Sequence, residues 1–515
     1  MELSPAALLR LSCYTLDNYA DDVHLDGLAA TWETICNYLL QYGESDGLLN
    51  SKYFGELYEF GLAIEDKYAK KSSGQYYTPE DVARVMSQWL DEAPGDVICD
   101  VACGTGNLIL AYLDYIGYDK AMALIEAGKL YLYDIDETAL KICKTVFEVK
   151  YGQVASQRCH FILADFLDKD VTLPPHGKTI SNPPYTAISA MEECWEKTSV
   201  LMQTKETYAA FMEKIVTQSQ SAVIITPFSF ISGKKFGALR EVLSRNTGKI
   251  FSFDNVPGAI FSGKKYGVFN SNTSNSVRAT ITVVDTRDDS GFQLTPLIRF
   301  KSVEREALLC CDVLEGFLPS HKQKISENTA VFYKCFRELQ PLYDRVQQAS
   351  DGHTLEELVC ENGTLELSVP STCRYYTVAF AGTLNRNGQL SLRFDDRKKF
   401  NYAFCLINSS FAYWHWRLFD GGITYPKSLL MKVPSVYHLL TEDDHRFFAK
   451  TAEKMMACAG DYVITKNNIG VQENIKYPRQ YRDAINQRIL SVLEMDVDNE
   501  TLDKIHSNKA LEVSV

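Results

Sequence analysis

The spacing of apolar residues divides the chain into three stretches. Through about residue 70 it is helical: "GLAATWETICNYLLQYG" places Leu28, Trp32, Ile35 and Leu39 at helical intervals, with Gly43 as a stop. "FGELYEFGLAIEDKYAKK" continues in the same style. From about residue 96, short apolar runs alternate with helical ones. "DVICDVA", "KLYLYDID", "CHFILAD", "GKTISN" and "SAVIITP" read as five strands. Between them "CGTGNLILAYLDYIG", "ETALKICKTVFEVKYG" and a segment around 206–218 read as helices. That order predicts an α/β fold, a mostly parallel sheet with helices on both faces. "KIFSFDNV" and "VRATITVVDTR", separated by a polar loop, predict an antiparallel pair closing the sheet edge.

Near residue 290 the alternation weakens. Strand-like pieces, "LELSV" and "YYTVAFAG", lie among Gly- and Asn-rich turns, and "FNYAFCLINSSFAYWHWRLFDGG" is aromatic and partly helical. The tail from about 441 reads as helical, and no internal repeat is found. The expected organisation is a helical N-terminal region 1–72, an α/β domain 73–290, a domain of mixed α+β structure 310–440, and a helical C-terminal region 441–515.

Composition changes this picture little. With 515 residues, 46% of them hydrophobic, the chain can build a large core. No apolar run nears the roughly 20 residues that cross a bilayer, and the N-terminus does not read as a signal peptide. The 14 cysteines show no paired CxxC spacing, so reduced core thiols in a cytoplasmic protein are the expectation. The 9 histidines form no ligand motif, and no metal is expected. A formal net charge of −13 excludes a chain basic all over, not a local basic cleft. Residues 1–72 carry twelve Asp/Glu against five Lys/Arg, suiting a protein partner, while "KKFGALREVLSRNTGK" and "NRNGQLSLRFDDRKKF" are locally basic.

Candidate chemistry collects at the strand ends. In "DVACGTGNLIL", Asp100, Gly104 and Gly106 sit where the first strand meets the first helix, whose N-terminus offers unpaired N–H groups. Asp134 and Asp165 end the next two strands, placed for a ribose diol and an adenine amine; solvent-facing caps are the plainer alternative. "SNPPYTAI" ends the fourth strand, and its two prolines stiffen the backbone behind Asn182. It reads either as a turn or as a rigid mount for Asn182 and Tyr185.

The order "GQYYTP" (74–79), "DVACGTG" (100–106), "YDID" (133–136), "ADF" (164–166) and "NPPY" (182–185) resembles the N6-adenine DNA methyltransferases of the gamma arrangement. The likeness is closest to the modification subunits of type I restriction systems and to related type II enzymes. It covers roughly residues 50–285. It implies a Rossmann-like sheet that binds S-adenosyl-L-methionine. Tyr76, Thr78 and Pro79 match the segment closing over its methionine part. Asp100 and the turn Ala102, Gly104, Gly106 match the part holding the amino-acid moiety. Asp134 matches the ribose ligand, Ile135 and Phe166 the walls of the adenine site, and Asp165 the acceptor from its amino group.

The resemblance also implies the reaction, methylation of N6 of an adenine flipped out of a specific double-stranded DNA sequence. Asn182 and Pro183, stiffened by Pro184, would accept from the amine, and Tyr185 would stack on the base. Phe261 matches a second stacking residue, with ordinary core packing as the alternative. Lys264 and Lys265 are phosphate-contact candidates. Specificity is either intrinsic to the C-terminal part or supplied by a separate specificity subunit, and a restriction endonuclease is a second candidate partner. Methylation of RNA or protein glutamine, and a silent scaffold in a defence complex, are the remaining alternatives.

Overall fold

The computed structural model describes residues 78–255, 257–262, 277–325, 331–373, 375–422, 424–467 and 471–506. The expected N-terminal helical region 1–72 lies outside them. The chain divides into two compact units between Phe332 and Tyr333.

The first unit is an α/β sheet. Strands β1 (Val97–Val101), β2 (Leu130–Asp134), β3 (His160–Leu163), β4 (Gly177–Ser181) and β5 (Ser221–Pro227) are parallel. They are followed by β6 (Thr247–Phe253), β7 (Ala279–Asp285) and β8 (Gly291–Leu294), and the sheet order is β3-β2-β1-β4-β5-β7-β6-β8. The central strands are buried on both faces, which is why they read as continuous apolar runs. The expected antiparallel pair is β6 with β7, but β7 runs between β5 and β6. The outer edge is β8, parallel to β6; its four residues, "GFQL", are too few to show a period.

Helices α1 (Glu80–Glu92), α2 (Asn107–Ile116), α3 (Tyr118–Glu126), α4 (Glu137–Tyr151) and α5 (Thr207–Gln218) flank the sheet. Residues of α1, α2 and α4 fill a core on one face with Ile98, Leu132 and Ile180, while α5 joins Val101, Tyr133 and Ile224 on the other. Helix α4 starts where Asp136 accepts from the N–H groups of Thr138 and Ala139, an N-cap that ends β2 sharply.

The second unit has its own core, built around Tyr402, Tyr413, Trp416 and Tyr425. The aromatic stretch of the sequence forms two helices, α6 (Arg397–Ile407) and α7 (Ser410–Phe419), broken where Ser409 accepts from the Phe411 N–H. Strand β9 (Leu365–Pro370) pairs with β10 (Gln389–Phe394). "YYTVAFAG" forms no strand and gives only a single bridge, Ser368 with Phe380. The tail is not wholly helical: α8 (Glu442–Ala457) and α9 (Arg479–Val492) are separated by an antiparallel pair, β11 (Val463–Asn467) and β12 (Val471–Ile475).

Candidate active site

The carboxyl ends of β1, β2 and β4 are neighbours in the sheet, so Asp100, Asp134 and Asn182 meet at one edge. That edge is where open α/β sheets bind ligands. The turn leaving β1 is held in the left-handed region at Ala102 (φ 60°), Gly104 (φ 55°) and Gly106 (φ 91°). For Ala102 this conformation is costly, a strain that collects at functional sites. Gly106 admits no side chain, since a Cβ there would lie 2.6 Å from Cys143 Sγ. Gly104 is different: nothing lies within 4 Å of the position its Cβ would take. Open space above a glycine turn at a helix N-terminus is suited to a bound ligand.

Asp134 ties two strand ends together. Its Oδ2 accepts from the Gly104 N–H at 2.6 Å, and Oδ1 from the Asp136 N–H at 2.8 Å. Asp100 is fully buried; its Oδ2 accepts from the Ile109 N–H at 3.2 Å, while Oδ1 has no hydrogen-bond partner among the described residues. Burial pushes the Asp100 carboxyl well above the usual range, opposed by the Ile109 N–H and reinforced by Asp134. Burial likewise raises Asp134, against the N–H groups of Asp136 and Gly104. An unsatisfied buried acceptor beside a second carboxylate is suited to a cationic group. The ammonium of an amino-acid moiety would fit these acceptors as a donor, and a ribose diol would fit Asp134.

At the end of β4, Asn182 is oriented by two neighbours. Its Nδ2 donates to Thr78 Oγ1 at 2.9 Å, and its Oδ1 accepts from the Tyr185 hydroxyl at 2.7 Å. The same hydroxyl lies 3.0 Å from Ile225 O, so one proton serves two acceptors. Thr207, the first residue of α5, donates to Pro184 O at 2.6 Å and accepts from the Thr186 N–H at 3.1 Å. The prolines are therefore braced on one side by α5, and the Asn182 amide by Thr78, just before α1. Pro79 is buried at the N-cap of α1.

The remaining candidates are placed less simply. Ile135 is 69% exposed beside Asp134, available as a ligand wall. Phe166 is buried under the site, its ring 5.1 Å from that of Phe211 and with Lys214 Nζ 5.0 Å from its centroid. Asp165 accepts from the Leu167 N–H at 2.9 Å and from the Trp195 indole N–H at 2.7 Å. Phe261 is fully buried, edge-on to Tyr185 with ring centroids 6.0 Å apart and planes at 64°. Rings so inclined do not enclose a slot for a flat base; a stacking role for Phe261 needs them to move. Tyr76, Lys264 and Lys265 lie outside the described residues. Sequence reasoning missed Thr207 and Trp195: a threonine opening a helix and a tryptophan in a polar stretch carry no local sign of what they touch. Among the described residues no cluster of three or more His, Cys, Asp or Glu could hold a metal ion. Nor is any helix there long and apolar enough to cross a membrane.

The N-6 DNA Methylase family matches residues 50–288. The chain is 24% identical over 219 residues to the methylase subunit of the type I restriction enzyme EcoEI of Escherichia coli, covering 41% of this chain and 43% of that subunit. It is 28% identical over 93 residues to the methylase subunit of the type I enzyme MpnII of Mycoplasma pneumoniae, covering 18% and 16%. Both matches span less than half the length of these curated relatives. Among solved structures, a cryo-EM structure of a DrdV–DNA complex is 12% identical with a TM-score of 0.48, covering 98% of this chain and 76% of that one.

Proposed function

We propose that the chain, whose residues 50–288 match the N-6 DNA Methylase family, methylates N6 of adenine in double-stranded DNA. The observation that carries this reading is the Asn182 amide, held by Thr78 and Tyr185 at the same sheet edge as the unsatisfied Asp100 Oδ1. Asp100, the Ala102–Gly106 turn, Asp134 and Asp165 would hold S-adenosylmethionine. When bound, it supplies an electrophilic methyl group on a positively charged sulfur.

The exocyclic amine of adenine is a poor nucleophile, because its lone pair is delocalised into the ring. The Asn182 Oδ1 and the Pro183 carbonyl, accepting its two hydrogens, favour a pyramidal nitrogen and stabilise the positive charge that develops there. Thr78 fixes which end of the Asn182 amide faces the base, and the Thr207 hydroxyl keeps the prolines in place. Alignment of the amine with the methyl carbon is a positioning task. Tyr185, the only aromatic of "NPPY", offers its ring to a base taken out of the duplex.

Two readings of target choice stand side by side. Intrinsic recognition is supported by the size of the second unit and its basic strand β10 region. A separate specificity subunit is supported by the match to methylase subunits of type I restriction enzymes. The test of the reaction is transfer from labelled S-adenosylmethionine to duplex DNA, RNA and protein in parallel, with Asn182→Ala beside the wild type. Label confined to DNA, lost in Asn182→Ala while calorimetry shows unchanged cofactor affinity, is the expected outcome. Label on RNA or protein alone, or near-normal turnover by Asn182→Ala, overturns it.

A further inference from the structure

Trp195 lies in the polar stretch "MEECWEKTSV", yet it is anchored on three sides. Its indole N–H donates to Asp165 Oδ2 at 2.7 Å. Its backbone forms an isolated antiparallel bridge with Asp168, and the adjoining Cys194 carbonyl accepts from the Lys169 N–H at 3.0 Å. Its ring is half-buried against the core that contains Tyr133 and Phe166. The segment thus runs along the turn that leaves β3, and the indole is brought to one carboxylate in particular.

That carboxylate is held at both oxygens, Oδ1 by the Leu167 N–H at 2.9 Å and Oδ2 by the indole. Each carboxylate oxygen can accept twice, so both retain a lone pair. Two donors remove the rotational freedom that a surface aspartate would lose only on meeting its ligand. An incoming amine then meets an acceptor already ordered.

We propose that Trp195 is a positioning residue for base recognition in the cofactor site: its N–H holds Asp165 ready to accept from the 6-amino group of adenine. This rests on the reading of Asp165 as the adenine ligand. The indole does not compete with the amine; it uses one lone pair of Oδ2 and leaves the other.

Calorimetric titration of the full chain with two ligands tests this. S-Adenosylhomocysteine carries the 6-amino group, and S-inosylhomocysteine carries a 6-oxo group in its place. The wild type should prefer the adenosyl ligand at least tenfold. Trp195→Phe keeps an aromatic ring and removes the donor; it should weaken the adenosyl ligand about three- to tenfold, the range for one lost hydrogen bond, and leave the inosyl ligand unchanged. Trp195→His, which keeps a ring N–H, should hold a preference nearer the wild type and serves if Trp195→Phe does not fold. Adding Trp195→Phe to Asp165→Asn should cause no further loss. An equal fall for both ligands means that Trp195 only supports the fold, and overturns the proposal. Tighter adenosyl binding by Trp195→Phe means that the indole competes, and overturns it too. A wild type without preference shows that Asp165 does not read the amino group; the underlying reading then fails, and the proposal with it.

Discussion

Ionising Asp100 at the buried sheet edge, beside Asp134 and with Oδ1 unbonded, costs the ligand-free protein stability. The folded state raises this carboxyl above its ordinary value of 3.8, so its contribution is complete below that value and is lost as pH rises through the raised one. Asp134 acts in the same direction. Asp100→Asn should therefore melt at a higher temperature than the wild type near pH 8, with the advantage vanishing toward pH 4. Thermal melts across that range check it; an advantage largest in acid would contradict it. Tyr185 supplies a second prediction. Its hydroxyl donates to the Asn182 oxygen, and an amide oxygen has a second lone pair for the proposed target amine, so Tyr185→Phe, which loses only this brace, should slow transfer less than Tyr185→Ala, which also loses stacking of roughly 1–3 kcal/mol. Part of the alanine loss should return on a duplex whose target adenine is mispaired. Initial rates on paired and mispaired duplexes decide this, and equal slowing by Phe and Ala would assign the role to the hydroxyl. The positions of Asp100 and Asp134 could be read from sequence because each directly follows an apolar run, and that of Asn182 because the two prolines behind it mark the end of a strand. The roles of Thr78, Thr207 and Trp195 could not, because their partners are 104, 23 and 30 residues away.

The elements that carry these residues are tied by one buried guanidinium. Arg305 donates through Nε and Nη2 to both oxygens of Asp81, in the first turn of α1, at 2.6 and 2.8 Å. Its Nη1 and Nη2 also reach Ala259 O at 3.0 Å and Ile260 O at 2.7 Å, the two carbonyls before Phe261. Helix α1 begins two residues after Thr78, so the clamp joins the brace of Asn182 to the segment bearing Phe261. Arg305→Leu should destabilise the unit by roughly 3 kcal/mol, the lower end for breaking a buried pair because Asp81 keeps some contact with water. A shift in denaturant midpoint measures it, and a change below about 1 kcal/mol, the scale of a surface pair, would show that the clamp is dispensable. The parallel run of β1 to β5 was open to reading because strands that alternate with helices leave few topologies; their order in the sheet was not. The insertion of β7 between β5 and β6 was not, since an antiparallel pair has the same sequence pattern in either order.

For the whole chain, the division between Phe332 and Tyr333 leaves a second unit with an aromatic core of its own. Its helices α6 and α7 showed in the sequence as an aromatic run, but the β11–β12 pair did not, because "VITKN" and "VQENI" are short and polar and lie between two strong helical patterns. The sequence after about residue 310 carries no motif from which the recognised bases can be read, so sequence preference has to be measured. The measurement that bears most directly on the account is sequencing of modified bases in duplex DNA incubated with the pure protein and S-adenosylmethionine. The expected result is N6-methyladenine at one recurring sequence, absent when Asn182→Ala replaces the wild type. Should the recurring sequence emerge only after a specificity subunit is added, the reaction stands and intrinsic recognition falls. Methyl groups on cytosine, or none on DNA under either condition, would contradict the account.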